Sequence, residues 1–380
     1  MMAKHRIYFH TNVPAPYRKH QFELIAKRFP DAVFFLTEKQ AGYRPWSNSV
    51  KNWKANIWHV TQMQLLLSLF VQRWGSIHIC GGGLPKWYWV LLMVSGMIGQ
   101  SKVIGWNDGS TLAQVKACKS NTGENLPLKK RVVKWLVANG MKAVFTPGVN
   151  GADMARAKGF RDNQIINAYF SHDIDAFAKY DEEYHDSVRK QIRQAYEIAN
   201  DTIVLLCISR YLDLKRLEDL AEALLILERS HLDEANRCEL LLIGDGSYKT
   251  HLPILKKLTN VKVHLVKQMP PENVLAYYCA SDIFVFPSEG DIWGLVVNEA
   301  LSMGLPVICT DEIGAAELVQ NGENGYKVPV RQPKIIAEKI HLMLNADRRQ
   351  ALSKAAKKIR ETWRTELGVA ELQRFIENIG

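Results

Sequence analysis

The chain has 380 residues, 47% hydrophobic and 23% charged, with a net charge of +10. That length suits two domains of ordinary size, and the composition excludes a disordered, collagen-like or low-complexity chain. Six cysteines without a CxxC pair argue against a zinc ribbon or disulfide framework and for reduced, buried thiols.

Charge and tryptophan divide unevenly along the chain. Residues 1–175 hold 23 Lys and Arg against 9 Asp and Glu, a net of +14, and the remainder hold 26 against 30, a net of −4. Trp46, Trp53, Trp58, Trp74, Trp87, Trp89, Trp106 and Trp135 all fall in the first part. A basic, tryptophan-rich half suits an anionic acceptor or a membrane surface, and a mildly acidic half suits a small ligand. No recognition-helix, zinc-finger or RNA-binding motif supports a nucleic-acid partner.

Met1–Arg6 leads into a short strand rather than a signal-peptide core. In the first half, Arg6–His10, Ala32–Leu36, Ile77–Cys80, Lys102–Trp106 and Ala143–Thr146 read as strands. Pro16–Phe29 and Lys129–Asn139 have helical spacing of apolar residues. The longest apolar run, Leu84–Ile98, contains Pro85, Lys86, Ser95 and Gly96 and is too short to span a membrane, so a core helix is expected. Lys129–Leu136 fits either an interfacial helix or a charged face over an ordinary core helix. Asp173–Asn200 is polar and charged and reads as a linker feeding a solvated helix. Further strands are expected at Thr202–Ile208, Glu239–Ile243, Val261–Leu265, Asp282–Phe286 and Pro306–Thr310, and Leu352–Ile379 is expected to be helical throughout. Strands alternating with helices predict an α/β chain with parallel sheets.

Four segments of the second half carry candidate chemistry. Arg210 and Lys215 lie five residues apart on a strand-to-helix loop and fit a diphosphate, or simply solvent. Gly244-Asp245-Gly246 follows a strand and permits close approach of a ligand, but lacks the third glycine of a dinucleotide fingerprint, so a tight turn fits equally. Val261–Pro271 ends in paired prolines that stiffen the loop after it. In residues 282–329 a strand runs into an acidic turn with Glu289 and Asp291, and Gly294 opens an apolar helix whose only charge is Glu299. Burying Glu299 requires hydrogen-bond donors, which ribose hydroxyls on one reading, or a nearby Arg or backbone cap on the other, would supply.

In this order the pieces resemble family 4 retaining glycosyltransferases of the GT-B fold, specifically over residues 200–330 and colinearly before that. The resemblance implies two Rossmann-like parallel-sheet domains facing across a cleft. An acceptor-side domain is expected at 1–175, a nucleotide-sugar domain at 176–360, and a helix at 361–380 packing back toward the first. Asp291-x7-Glu299 matches the family's E-x7-E element, with Asp for Glu at the first position; Glu289 has the wrong spacing. By resemblance, Glu299 holds the ribose, and Asp291 with backbone near Trp293, Gly294 and Leu295 holds the sugar and distal phosphate. Arg210 and Lys215 match the Arg-x4-Lys pair that neutralises the diphosphate, and Gly244 and Gly246 match the glycine turn. Lys267-Gln268-Met269 matches the base-contacting loop, with Lys267 where Gly is usual. The family's glycine-rich loop after the first strand is replaced by Thr11–Arg18, and where many members have a pocket His this chain has Trp106–Ser110. Asp108 is accordingly a candidate for contacting sugar or acceptor, or part of a simple Asn-Asp-Gly turn.

The resemblance implies transfer from a nucleoside-diphosphate sugar to a glycan or polyprenyl- or lipid-linked acceptor, in surface polysaccharide, lipopolysaccharide or glycolipid biosynthesis. It implies no cofactor and no metal, and a cytoplasmic protein, peripheral on the inner face of the membrane if its basic half binds lipid. A sugar-nucleotide epimerase of related fold and a non-catalytic nucleotide-sugar-binding protein are the alternatives.

Overall fold

The computed structural model describes residues 6–11, 18–37, 53–65, 75–81, 84, 86–119, 127–246 and 253–379. The chain forms two compact units, residues 1–172 with 363–380, and residues 173–362.

The first unit contains β1 (Ile7–Thr11), α1 (Lys19–Arg28), β2 (Val33–Leu36), β3 (Asn56–His59), β4 (Ser76–Cys80), α2 (Lys86–Met97), β5 (Ser101–Trp106), α3 (Leu112–Lys119), α4 (Leu128–Gly140), β6 (Ala143–Thr146), α5 (Gly148–Lys158) and β7 (Ile165–Asn167). The second contains α6 (Ile174–Ala195), β8 (Ile203–Ile208), α7 (Leu217–Ser230), α8 (Leu232–Ala235), β9 (Cys238–Ile243), β10 (Lys262–Val266), α9 (Pro271–Ala280), β11 (Ile283–Phe286), α10 (Leu295–Ser302), β12 (Val307–Thr310), β13 (Gly325–Val328), α11 (Pro333–Leu344), α12 (Ala346–Ala356) and α13 (Ile359–Thr362). The chain then returns to the first unit as α14 (Thr365–Ile379).

The first sheet has the order β3-β2-β1-β4-β5-β6-β7, parallel throughout. Phe9 on β1 sits opposite Phe34 and Ile79, and these residues join Phe22, Ile104 and Phe145 in one core layer. α14 closes that layer with Val369, Leu372 and Ile376, and Gly368 lies so close to Ala168 that a Cβ there would stand 2.1 Å from the Ala168 carbonyl oxygen. The opposite face buries Phe35, Tyr88, Leu92 and Val103. Within it His10 Nε2 lies 3.0 Å from His78 Nδ1, and His78 Nε2 lies 3.0 Å from Ser76 Oγ. Burial holds both imidazoles neutral: His78 falls to about 3, and His10 falls well below its usual value, mainly through burial and further because a second proton beside His78 would be repelled.

The second sheet has the order β10-β9-β8-β11-β12-β13, also parallel. Its apolar runs are buried on both faces, as parallel strands between helical layers require. At the amino ends of β8 and β11, Asp282 accepts from Arg189 at 2.8 Å, from Arg193 at 2.7 Å and from the Val204 amide at 2.8 Å.

Several expectations are corrected. Residues 173–200 are no mere linker: α6 buries Ile174, Phe177, Asp181 and Arg193, the last two charged, so an apolar count understates its packing. Residues 352–379 are not one helix, because the chain breaks between α12, α13 and α14. β3, β7 and β13 lie where no strand was expected; β3 is mostly exposed and β7 only three residues long. The apolar run at 84–98 does form a helix that packs on the core, but only one of its faces is covered. Tyr88, Leu92, Met93 and Gly96 face inward, while Trp87, Leu91, Val94 and Ile98 are exposed. Residues 12–17 of the loop after β1 lie outside the described residues.

Candidate functional site at the carboxyl ends of the second sheet

From β8 the second sheet grows both ways, toward β9 and toward β11. The carboxyl ends of β8 and β11 thus flank the switch point, where diverging loops leave a crevice for ligands.

The loop after β8 makes a tight 3-10 turn over Asp213–Lys215, with the Lys215 amide donating to Leu212 O at 2.9 Å. Arg216 follows in the left-handed region at φ 51° and is held by Asp219 at 2.8 Å. This turn sends Lys215 inward, where it is 6% exposed. Its Nζ lies 2.5 Å from Asp291 Oδ2, 3.4 Å from Ser288 Oγ and 5.3 Å from the centre of the Phe286 ring. The Glu289 amide donates to Leu214 O at 2.9 Å, so the loops after β8 and β11 are bonded by backbone as well. Arg210 is exposed, and among the described residues its guanidinium makes no ion pair.

Glu289 and Asp291 face different partners. Glu289 pairs with Arg331 at 2.8 Å and Arg216 at 3.9 Å, whereas Asp291, the position with the eight-residue step to Glu299, meets Lys215. Ser288 was not singled out from sequence, yet it is fully buried, and its carbonyl accepts from Thr310. A lone serine in an acidic turn gives no signal of that burial.

Gly294 opens α10 at φ 95°, and among the described residues no side chain caps the helix. Ile313 and Phe286 stand 3.3 and 3.5 Å from where a Cβ on Gly294 would be. Trp293 is buried with Nε1 donating to Asn298 at 2.8 Å, and Leu295 is half-buried at the first turn. The amino end of α10 therefore presents backbone N–H groups and a positive dipole end beside the loop that carries Asp291. Glu299, one turn on, accepts from Tyr278 of α9 at 2.6 Å. Burial, then the Glu299 charge, pushes the Tyr278 hydroxyl well above its usual range, so it remains a donor. That partner comes from a separate helix and was not visible in the local sequence.

The glycine turn has a specific reason. A Cβ on Gly244 would lie 1.8 Å from Ser209 O, and one on Gly246 would lie 2.7 Å from Tyr211 O. Tyr211 N donates to Asp245 O at 2.9 Å. The turn after β9 therefore packs backbone to backbone on the loop bearing Arg210. Lys267 and Gln268 are exposed and Met269 half-buried beyond β10, the edge strand. Asp108 belongs to the first unit, where Arg18 donates to it and to Gln21.

Two loops joined at a switch point, a buried lysine, an exposed arginine and a helix start with free N–H groups are features suited to an anionic ligand. Residues 188–359 match the sequence profile of the glycosyl transferases group 1. Among curated proteins the chain is 27% identical over 186 residues to N-acetyl-alpha-D-glucosaminyl L-malate synthase of Bacillus anthracis, 48% of this chain and 47% of that protein. It is 27% identical over 297 residues to D-inositol 3-phosphate glycosyltransferase of Geodermatophilus obscurus, 71% of this chain and 60% of that one. The chain thus spans less than two thirds of the length of either relative. Among solved structures it resembles Anabaena Alr3699/HepE in complex with UDP, with a TM-score of 0.75 at 14% identity, covering 98% of this chain and 100% of that one. The fold is GT-B: two parallel-sheet domains, of seven and six strands among the described residues.

Proposed function

We propose that the protein is a retaining, family 4 type glycosyltransferase that moves a sugar from a nucleoside-diphosphate sugar to a hydroxyl of a glycan or lipid-linked acceptor. The observation that carries this reading is the Lys215–Asp291 pair at the switch point, set between the Arg210 loop and the start of α10. Negative charge grows on the leaving diphosphate as the glycosidic bond breaks. Lys215, Arg210 and the α10 N-terminus stabilise that charge, the work a metal would otherwise share. Asp291 accepts from the sugar hydroxyls once the diphosphate draws Lys215 away. Glu299, already oriented by Tyr278, takes the ribose, and Lys267–Met269 border the base. UDP in the similar Anabaena protein supports a nucleotide ligand. Asp108 is the first unit's candidate for contacting the sugar or acceptor.

Release of nucleoside diphosphate from UDP-, GDP- and ADP-sugars, with and without polyprenyl- or lipid-linked acceptors, tests the proposal. Acceptor-dependent release with the anomeric configuration of the donor kept in the product is expected. Lys215→Ala should lower kcat/KM by ~100-fold or more, the scale of removing one donor to a developing oxyanion. Conversion of donor without acceptor would instead favour an epimerase, and an unaffected Lys215→Ala would sink the site.

The acceptor's setting is an anionic membrane surface on the cytoplasmic side, consistent with a role in surface polysaccharide or glycolipid assembly. Among the described residues no helix is long and apolar enough to cross a membrane. α2 exposes Trp87, Leu91 and Val94, and α4 exposes Leu128, Val132 and Trp135 at steps of four and three. The two helices meet backbone to backbone, since a Cβ on Gly96 would lie 2.1 Å from Gly140 O. Lys86, Lys129, Lys130, Arg131 and Lys134 lie on these helices, which hold no acidic residue. Apolar stripes with cations and tryptophan suit anionic headgroups, whereas a second copy of the same face would set cation against cation. Vesicles containing phosphatidylglycerol should pellet the protein and pure phosphatidylcholine should not. Trp135→Glu should reduce that binding about tenfold at unchanged thermal stability. Dimerisation without vesicle binding would overturn this part alone.

A further inference from the structure

We infer a divalent transition-metal site at His231, Glu234 and His341 in the second unit, a feature independent of the transferase reading. α7 and α11 each leave the carboxyl end of a strand and run back, so the residues at their far ends stand at the amino-terminal edge of the sheet. That is the opposite edge from Lys215 and Asp291.

The backbone fixes the first two ligands. His231 ends α7, with its N–H donating to Leu227 O at 2.8 Å, and its carbonyl accepts from Glu234 and Ala235 at 3.1 and 2.9 Å. One turn thus displays His231 and Glu234 three residues apart on the same side. The last turn of α11 brings His341 alongside. Glu234 Oε2 lies 2.6 Å from His341 Nδ1 and 3.9 Å from His231 Nδ1, and the two imidazoles stack with centroids 3.9 Å apart, inclined 17°. Ligand atoms from all three residues lie within 4.8 Å of one another.

Two imidazole nitrogens with one carboxylate oxygen form a borderline donor set, suited to zinc, cobalt or nickel rather than to calcium or magnesium. Zinc bonds of about 2.0–2.1 Å in a tetrahedron separate donor atoms by roughly 3.3 Å. The 2.6 and 3.9 Å separations bracket that value, and because the two rings are stacked, one imidazole turns out of the stack to bring both ring nitrogens onto one ion. The side chains are 42%, 37% and 36% exposed, which admits an ion from solvent and leaves the fourth position to water. A proton satisfies one imidazole–carboxylate contact at a time, whereas a divalent ion satisfies both rings and the carboxylate together. The bound ion clips the α8 turn to the end of α11.

The test titrates the full chain, stripped with EDTA, with zinc chloride by calorimetry and with cobalt chloride by visible absorption. One saturable site with a tetrahedral cobalt spectrum is expected, with a rise of ~5 °C in Tm at a hundredfold excess over Kd. His231→Asn and His341→Gln should each weaken that site at least about tenfold, the scale of losing a ligand. Circular dichroism checks that these surface variants remain folded. Binding unchanged in the double variant would place the metal elsewhere and overturn the assignment, as would no saturable binding below millimolar zinc.

Discussion

Each unit sets a buried cation against a partly exposed aspartate beyond the carboxyl ends of its strands. In the first, Arg18 after β1 reaches Asp108 after β5; in the second, Lys215 after β8 reaches Asp291 after β11. The surroundings differ. In the second unit the loops are bonded to each other through Glu289 and Leu214 and packed on the Gly244 turn, and Asp282 is gripped by two arginines at the other ends of β8 and β11. The first unit places neutral, stacked imidazoles in its core instead. The comparison teaches that one arrangement of strand-end loops can rest on an ionic framework or on a neutral polar one, and the two should fail under different conditions.

The largest effect is expected from Asp282→Ala, which leaves buried Arg193 without its carboxylate. A loss of ~3–5 kcal/mol in unfolding free energy by urea denaturation is predicted, the cost of breaking a buried pair from one side. A loss below that of an ordinary surface substitution would remove the ionic framework from the account. Next, Gly244→Ala forces a methyl onto Ser209 O and should cost about 3 kcal/mol. Gly81→Ala in the first unit meets nothing closer than 3.3 Å and should cost under ~1 kcal/mol. Equal costs would mean that the loops of the second unit are no more tightly set than those of the first.

The acid responses sharpen the contrast further. Folded His78 stays neutral down to about 3, whereas an unfolded histidine takes a proton near 6.5. The unfolded state therefore binds more protons as pH falls from 6.5 toward 3, and stability drops with it. His78 alone should account for about 2 kcal/mol between pH 6.5 and pH 5. Denaturant curves for His78→Gln should be flatter across that window, and the same slope in the variant would contradict the neutral-core reading. The smallest effect is at Glu366, where burial raises the carboxyl but the His20 hydrogen bond at 2.8 Å brings it down to about 2. A depressed carboxylate stabilises above its unfolded value of 4.5 and loses that contribution as pH falls toward 2. Glu366→Gln should cost no more than ~1 kcal/mol at pH 7 for this part-exposed pair and nothing near pH 2, measured by acid titration of ellipticity.

The sequence shows the second unit's plan clearly because its strands are apolar on both faces and bounded by Gly, Pro and acidic turns. The spacing to Glu299 separated Asp291 from the neighbouring Glu289, and the two acids also meet different cations, Lys215 and Arg331. What stayed hidden depends on distant partners. Tyr278 on Glu299 and Asp282 between Arg189 and Arg193 join residues that no local period relates. α6 read as a linker because its buried face includes Asp181 and Arg193. α2 read as core because an apolar helix is ordinarily covered, and only the fold shows which of its faces is not. β3 and β7 gave no signal, being exposed or too short for alternation to register.

Calorimetric titration of UDP, GDP and ADP into the wild type, Lys215→Ala and Asp291→Asn tests the site most directly. We predict saturable binding of one of these diphosphates to the wild type. Lys215→Ala should weaken it at least about tenfold, since a charge-assisted contact is lost. Asp291→Asn should bind the free diphosphate at least as tightly as the wild type, because the competing carboxylate is gone. No binding of any of the three, or equal binding by wild type and Lys215→Ala, would contradict the account.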